Sequence, residues 1–220
     1  MKNYLLFLAL LFLITIAACK KQNRSELVVG SWKVSSFTVS TLDSNRTVVT
    51  NPASSNIYSK GSTTSVSGST GKTFNTVQYQ PGTSPSVNLE EIDLKFSGNL
   101  TINSDGTFTY AYSSQKTNTK NYLNGQLQNS TADTLPPTAS SGKGVWEWGA
   151  TQNAYEMLKL KDVNLGSAFG QPFDAFKVIN VTEDMLELGF ETAGTTTSYP
   201  SASTTVYAIK NNSVNIKLTK

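Results

Sequence analysis

Leu100-Thr101-Ile102-Asn103-Ser104-Asp105-Gly106-Thr107-Phe108-Thr109-Tyr110 is the stretch that decides the fold. Two runs alternate apolar and polar residues, and four turn-forming residues join them. A period of two puts Leu100 and Ile102 on one face of a strand, and Phe108 and Tyr110 on one face of the next. The glycine closing the turn supplies the left-handed residue that follows a type I turn, so the segment is a β-hairpin.

The same alternation extends in both directions. Upstream, Ile92, Leu94 and Phe96 share one face while Glu91, Asp93 and Lys95 share the other. Leu27 to Val39 opens the series with Gly30-Ser31-Trp32. Downstream, Tyr112 continues the Phe108 face, and Val145-Trp146-Glu147-Trp148 and Tyr155 to Leu160 are further strands. Phe176 to Val181 and Met185 to Phe190 predict a hairpin around Thr182-Glu183-Asp184. Val206 to Ile209 and Val214 to Leu218 predict a last one across Asn211-Asn212, because asparagine tolerates positive φ. Sustained helical periodicity is absent after residue 27. The expectation is an all-β chain of about nine or ten strands in an antiparallel up-and-down meander, whose edges are hidden if it closes into a barrel. Trp32, Leu94, Phe108, Trp146, Leu186, Leu188 and Ile216 are its expected core.

Two polar stretches interrupt the pattern. From about Ser40 to Asn88, and again over 113–143, large apolar side chains are too few to offset the entropy of ordering, and both read as long mobile insertions, least ordered over 51–72 and 128–142. Asn124-Gly125 predicts a small hairpin inside the second, and Thr73 to Tyr79 a short edge strand within the first.

Composition excludes several chemistries. There is no histidine and one cysteine, so imidazole bases, triads and soft-metal sites are removed, and no disulfide forms within one chain. Residues 1–18 have the plan of a cleaved signal: Lys2, an apolar run from Leu5 to Ile16, then Ile16-Ala17-Ala18-Cys19. The run falls short of the ~20 residues that span a bilayer. The 18 basic residues become 17 when Lys2 leaves with that segment, against 15 acidic ones. Such a balance gives no nucleic-acid footprint. Roughly 195 residues then remain, enough for one core.

Small residues before a lone thiol resemble the lipobox of bacterial lipoprotein precursors. The resemblance implies cleavage before Cys19, a diacylglyceryl group on its thiol and acylation of the new amino terminus. The expected organisation is a signal over 1–18, a lipidated tether over 19–26 and one domain over 27–220. A further resemblance lies in Gly30-Ser31-Trp32, which is similar to the G-x-W signature of lipocalins and the wider calycin group. Asp105-Gly106-Thr107-Phe108, Gly144-Val145-Trp146 and Ile179 to Leu188 resemble lipocalin-like domains of anchored lipoproteins from Bacteroidetes-type bacteria. In lipocalins the first-strand tryptophan packs against an arginine near the end of the last strand. Only Arg24 and Arg46 occur here, so Lys210 or Lys217 is expected in that place. Implied are an outer-membrane lipid anchor and a barrel able to hold a small apolar ligand. Basic residues after Cys19 favour the periplasmic face over the cell surface.

Phe108, Tyr110, Tyr112, Trp146 and Trp148 alternate as an interior lining would, and Trp148, Trp146, Tyr110 and Tyr112 are the candidate ligand-binding residues. The same rings would equally fill a core. Glu90, Glu91 and Asp93 suggest paired carboxylates, yet Glu91 and Asp93 fall on the solvent face of their strand. Asn103 to Gly106 lacks the bidentate glutamate of a calcium loop. Asp133-Thr134-Leu135 resembles the short sequence at which Bacteroidetes-type bacteria attach O-glycans. No catalytic residue, metal ligand or cofactor is expected. Two readings stay open: a tethered binding module without enzymatic activity, or a structural or interaction subunit of an outer-membrane assembly with a filled barrel.

Overall fold

The computed structural model describes residues 23–50, 53–81, 85–152, 155–161 and 175–220. The expected signal segment and Cys19 lie outside the described residues. The described part opens with one helical turn, α1 (Arg24–Leu27), whose N-cap Asn23 accepts a hydrogen bond from the Ser25 amide at 3.3 Å. Among the described residues eleven strands follow, more than the alternation alone suggested. They are β1 (Gly30–Thr50), β2 (Ala53–Ser67), β3 (Thr70–Pro81), β4 (Ser86–Ile102), β5 (Thr107–Leu123) and β6 (Gln126–Ala132), then β7 (Thr138–Gln152), β8 (Tyr155–Lys161), β9 (Ala175–Val181), β10 (Met185–Ser201) and β11 (Thr204–Thr219).

All belong to one antiparallel sheet. Each strand pairs with the next, except that β7 returns to β5 and leaves β6 on the far half of β5. The last strand lies on the first, from Lys33 opposite Thr219 to Val49 opposite Thr204. The hydrogen bonds therefore run in a ring through 10 strands.

The ring is narrower at its base. There β1 pairs directly with β4, from Gly30 opposite Ile102 to Lys33 opposite Asn99, and the circuit bypasses β2 and β3. A bulge at Ser35 then bends β1 away from β4. The turn of the β2–β3 hairpin enters the gap: the Gly68 amide donates to Ser35 O at 2.8 Å, and the Phe96 amide donates to Ser69 O at 2.9 Å. Above that level two more strands widen the wall.

Here the structure corrects the reading of the polar stretches. Among the described residues, 40–50, 53–67 and 70–81 are strands, as are 113–123, 126–132 and 138–152, and in the second stretch 133–137 stay irregular. Counting buried apolar side chains missed what holds such strands together. Backbone ladders run along β2 and β3, and hydroxyls and amides tie neighbouring strands. Ser40 meets Thr63 at 3.2 Å, Thr64 meets Thr73 at 2.8 Å, Ser62 donates to Asn75 at 2.7 Å and Asn75 to Glu90 at 2.7 Å. A second correction concerns Asn211-Asn212. β11 runs straight through them, with Asn211 between Leu42 and Ala193 and Asn212 between Thr41 and Thr192. The turn lies instead between Ser201 and Thr204. The expected turn at Asn124-Gly125 is present with φ of 49° and 81°, the paired positive values of a type I′ hairpin.

The core fills the base. Trp32, Phe108, Leu186, Leu188 and Ile216 are buried there as expected, with Ile102, Leu158, Phe176 and Leu218. Leu94 and Trp146 are half-buried. Trp32 plugs the closed end, 1% exposed, its Nε1 donating to Val28 O at 2.7 Å. Lys220, rather than Lys210 or Lys217, lies over the Trp32 ring, its Nζ 4.6 Å from the centroid. Lys210 faces Asp43 at 3.8 Å and Lys217 faces Glu187 at 3.9 Å. Gly30 permits the arrangement: its φ is +146°, and a Cβ there would stand 2.8 Å from the Lys220 stem.

Candidate functional site: a cleft above the core

The inward face of β5 carries Phe108, Tyr110 and Tyr112 in order from the base. Phe108 is fully buried. Tyr110 covers Gly142 on β7, where a Cβ would come within 2.6 Å of its ring, so only glycine leaves room. Tyr110 and Tyr112 stack with centroids 6.3 Å apart, and Tyr112 stacks on Phe96 at 6.5 Å. Phe96 meets Phe37 edge-on at 4.9 Å. Gly98 makes space for this group, since a Cβ there would stand 3.0 Å from both Phe96 and Val34.

This aromatic layer separates two spaces. Beneath it, among Val34, Leu100, Tyr110, Leu160 and Leu188, is a void of only about 40 Å³, so the base is filled. Above it opens a cleft of about 570 Å³. Phe37, Val39, Leu94, Phe96 and Tyr112 supply its apolar surface. Thr41, Ser62, Thr64, Thr73, Ser114 and Gln115 give it hydroxyls and an amide. Leu135 and Pro136 of the β6–β7 connection close one side. That connection is tied down: the Asp133 amide donates to Thr117 O at 3.1 Å, the Leu135 amide to Asp133 Oδ1 at 2.9 Å, and Gln115 Nε2 to Leu135 O at 3.0 Å.

Of the four candidate ligand-binding residues, Tyr112 lines this cleft. Tyr110 lines the small void below. Trp146 donates from Nε1 to Asn103 O at 2.7 Å and its own amide donates to Gly106 O at 2.8 Å, so it caps the β4–β5 turn. Trp148 packs against the core cluster. Sequence reasoning missed Phe37 because the Ser35 bulge reverses the alternation: counting from Trp32 and Val34 predicts Ser36 inward. Phe96 and Leu94 were legible on one strand face, but their place in a cleft was not.

The acidic group divides between two faces. Glu90 accepts from Asn75 on the inner side. Glu91 and Asp93 share the outer face with Lys72 and Lys120, where Glu91 is bonded to Lys72 and its side chain is 13% exposed. The Lys72 hydrogen bond holds the Glu91 carboxyl below the ordinary range against an upward push from burial. For Asp93 burial is the largest single effect and pushes upward. Hydrogen bonds from Lys72 and Asn118 with the two lysine charges outweigh it and leave its pKa lowered. Both carboxyls are thus ionised at neutral pH, and neither is a proton donor there. In the β4–β5 turn, Asp105 Oδ1 accepts from Thr107 Oγ1 at 2.6 Å and from the Thr107 amide at 2.9 Å, so that oxygen serves the turn.

No family model matches this chain, and neither a curated protein nor a solved structure matches it significantly.

Proposed function

We propose that the ring of strands is a lipocalin-like barrel and that the protein is a lipid-anchored, non-enzymatic binding module for a small ligand with a large apolar part. The observation that carries this reading is the cleft of about 570 Å³ over an aromatic floor, within the size range of small-molecule sites. The lysine on Trp32 supports the lipocalin-like assignment, because a cation from the end of the last strand takes the place that arginine has in the resembled family. A filled base favours the other reading, a structural subunit, for the lower part of the molecule.

In this proposal Cys19 carries the lipid, and the protein sits on the outer membrane of a Gram-negative cell, facing the periplasm. Arg24 lies 2.7 Å from Glu156, and Val28 is fully buried beside Trp32, so the chain enters the domain at its closed end. An anchor on Cys19 would hold that end towards the bilayer and leave the cleft facing away. Native mass spectrometry of protein purified from its own host tests the binding function. A retained small molecule lost on Tyr112→Ala is the expected result; a ligand-free chain with a bound protein partner would favour the structural subunit.

A further inference from the structure

The cleft has one lysine on its wall. Lys116 lies inward on β5 opposite Leu94, beside the point where β7 has left that strand and β6 has not yet joined it. Strict alternation would put Lys116 and Lys120 on the same face. The bulge at Thr117 separates them: Lys120 turns outward to Glu91 and Asp93, whereas Lys116 stays on the cleft side, its side chain open to solvent. Bulges that re-aim a side chain are concentrated beside functional sites. Thr117 fixes this one, its hydroxyl donating to Asp93 O at 3.2 Å and its carbonyl accepting from the Asp133 amide.

Lys116 has no carboxylate at ion-pair distance among the described residues. Asp133, the other charged residue of the cleft, has one oxygen engaged by the Leu135 amide. Across from the aromatic floor, Leu135 is 67% exposed although two hydrogen bonds hold its backbone in place. A large apolar side chain is thus presented to solvent from a backbone tied to the cleft wall, where an apolar ligand would cover it.

We propose, resting on the binding-module reading, that the ligand is an amphipathic anion. Its apolar body lies between Phe37, Phe96 and Leu135, and its acidic head pairs with the Lys116 ammonium. Entry of the apolar body displaces water from around the lysine, and the lower local dielectric strengthens the pair.

Calorimetric titration of the full chain carrying Cys19→Ser tests this with three probes of equal chain length, dodecanoate, dodecan-1-ol and dodecyltrimethylammonium, all below their micellar concentrations. The expected result is one site per chain, with dodecanoate bound about tenfold or more tighter than the alcohol, as a charge-assisted hydrogen bond implies. The ammonium probe should bind more weakly than either. Lys116→Gln should remove the preference for dodecanoate while leaving the alcohol within about twofold, and Lys116→Arg should keep it. Lys143→Gln, on the outer face, should change nothing. Equal binding of acid and alcohol, or an acid preference that survives Lys116→Gln, overturns the anionic head and leaves the binding function standing. Binding of none of the three overturns both.

Discussion

Trp32 shows how one residue closes an end of the molecule. Its ring is buried, its Nε1 donates to Val28 O, and Lys220 covers it from the last residue of the chain. Trp32→Ala should cost about 3–5 kcal/mol in denaturant titration, as loss of a fully buried large aromatic does. Lys220→Met should cost about 0.5–2 kcal/mol through the lost cation–π contact, and Lys220→Arg should restore it. A Trp32→Ala chain as stable as its parent would make the likeness to the lipocalin first strand accidental. Tyr112 and Trp148 make a second pair. Trp148→Ala removes a ring packed on the core, so it should lower stability and spare ligand retention. Tyr112→Ala opens the cleft floor and should do the reverse, checked by melting temperature and native mass spectrometry on the same samples. The aromatic alternation named both residues equally. Only the neighbours of each ring distinguish them.

At the scale of elements, the β2–β3 hairpin is the addition that widens the ring. Its inner face depends on Gly71, where a Cβ would meet Ser65 O at 2.5 Å and Val66 at 2.6 Å. The obstacle at Ser65 is backbone, so Gly71→Ala should destabilise this hairpin, read as faster amide exchange across Thr63 to Asn75 than in the parent. If those amides exchange at unprotected rates in the parent itself, the hairpin is not part of the wall.

The outer face of the same region carries the Lys72, Glu91, Asp93 and Lys120 cluster. Because the Glu91 and Asp93 pKa values are lowered, their contribution is complete above the unfolded carboxylate values of about 4 and is lost as pH falls through the folded ones. Thermal unfolding at pH 7 and at about pH 3 should therefore differ more for the parent than for Lys72→Met, in which the chief downward influence on Glu91 is gone. An unchanged difference would show that the cluster is solvated and contributes nothing. β2 and β3 were hidden in the sequence for a physical reason. Threonine and serine strands are stabilised by lateral hydrogen bonds, which depend on the neighbouring strand, and no composition window contains that neighbour.

For the whole molecule, the closed base, the cleft above it and the chain entry beside Trp32 define one axis. If Cys19 carries a lipid, Cys19→Ser should move the protein from the membrane to the soluble fraction of its host while its circular dichroism and melting profile stay those of the parent. Full membrane retention of that variant would rule the anchor out. A ligand at about a hundred times its dissociation constant should raise the unfolding free energy by about 2.7 kcal/mol, a shift visible in melting curves of the protein.

Local patterning along the chain is enough for its β-character, the β4–β5, β5–β6 and β9–β10 turns and most of the buried positions at the base. Those are local properties: alternation over a few residues, turn chemistry at Asp105-Gly106 and Asn124-Gly125, and large apolar side chains with nowhere else to go. Long-range contacts alone establish that Asn211-Asn212 continues a strand, that Lys220 covers Trp32, and that Phe37 faces inward and Lys120 outward. Each of these depends on a partner far away in the chain or on a bulge. One extra residue at Ser35 or Thr117 exchanges the faces of everything beyond it, and alternation read along a single strand cannot register the insertion. The cleft lies in that second category, because its walls are opposed strands and its floor depends on the Ser35 bulge, which brings Phe37 against Phe96.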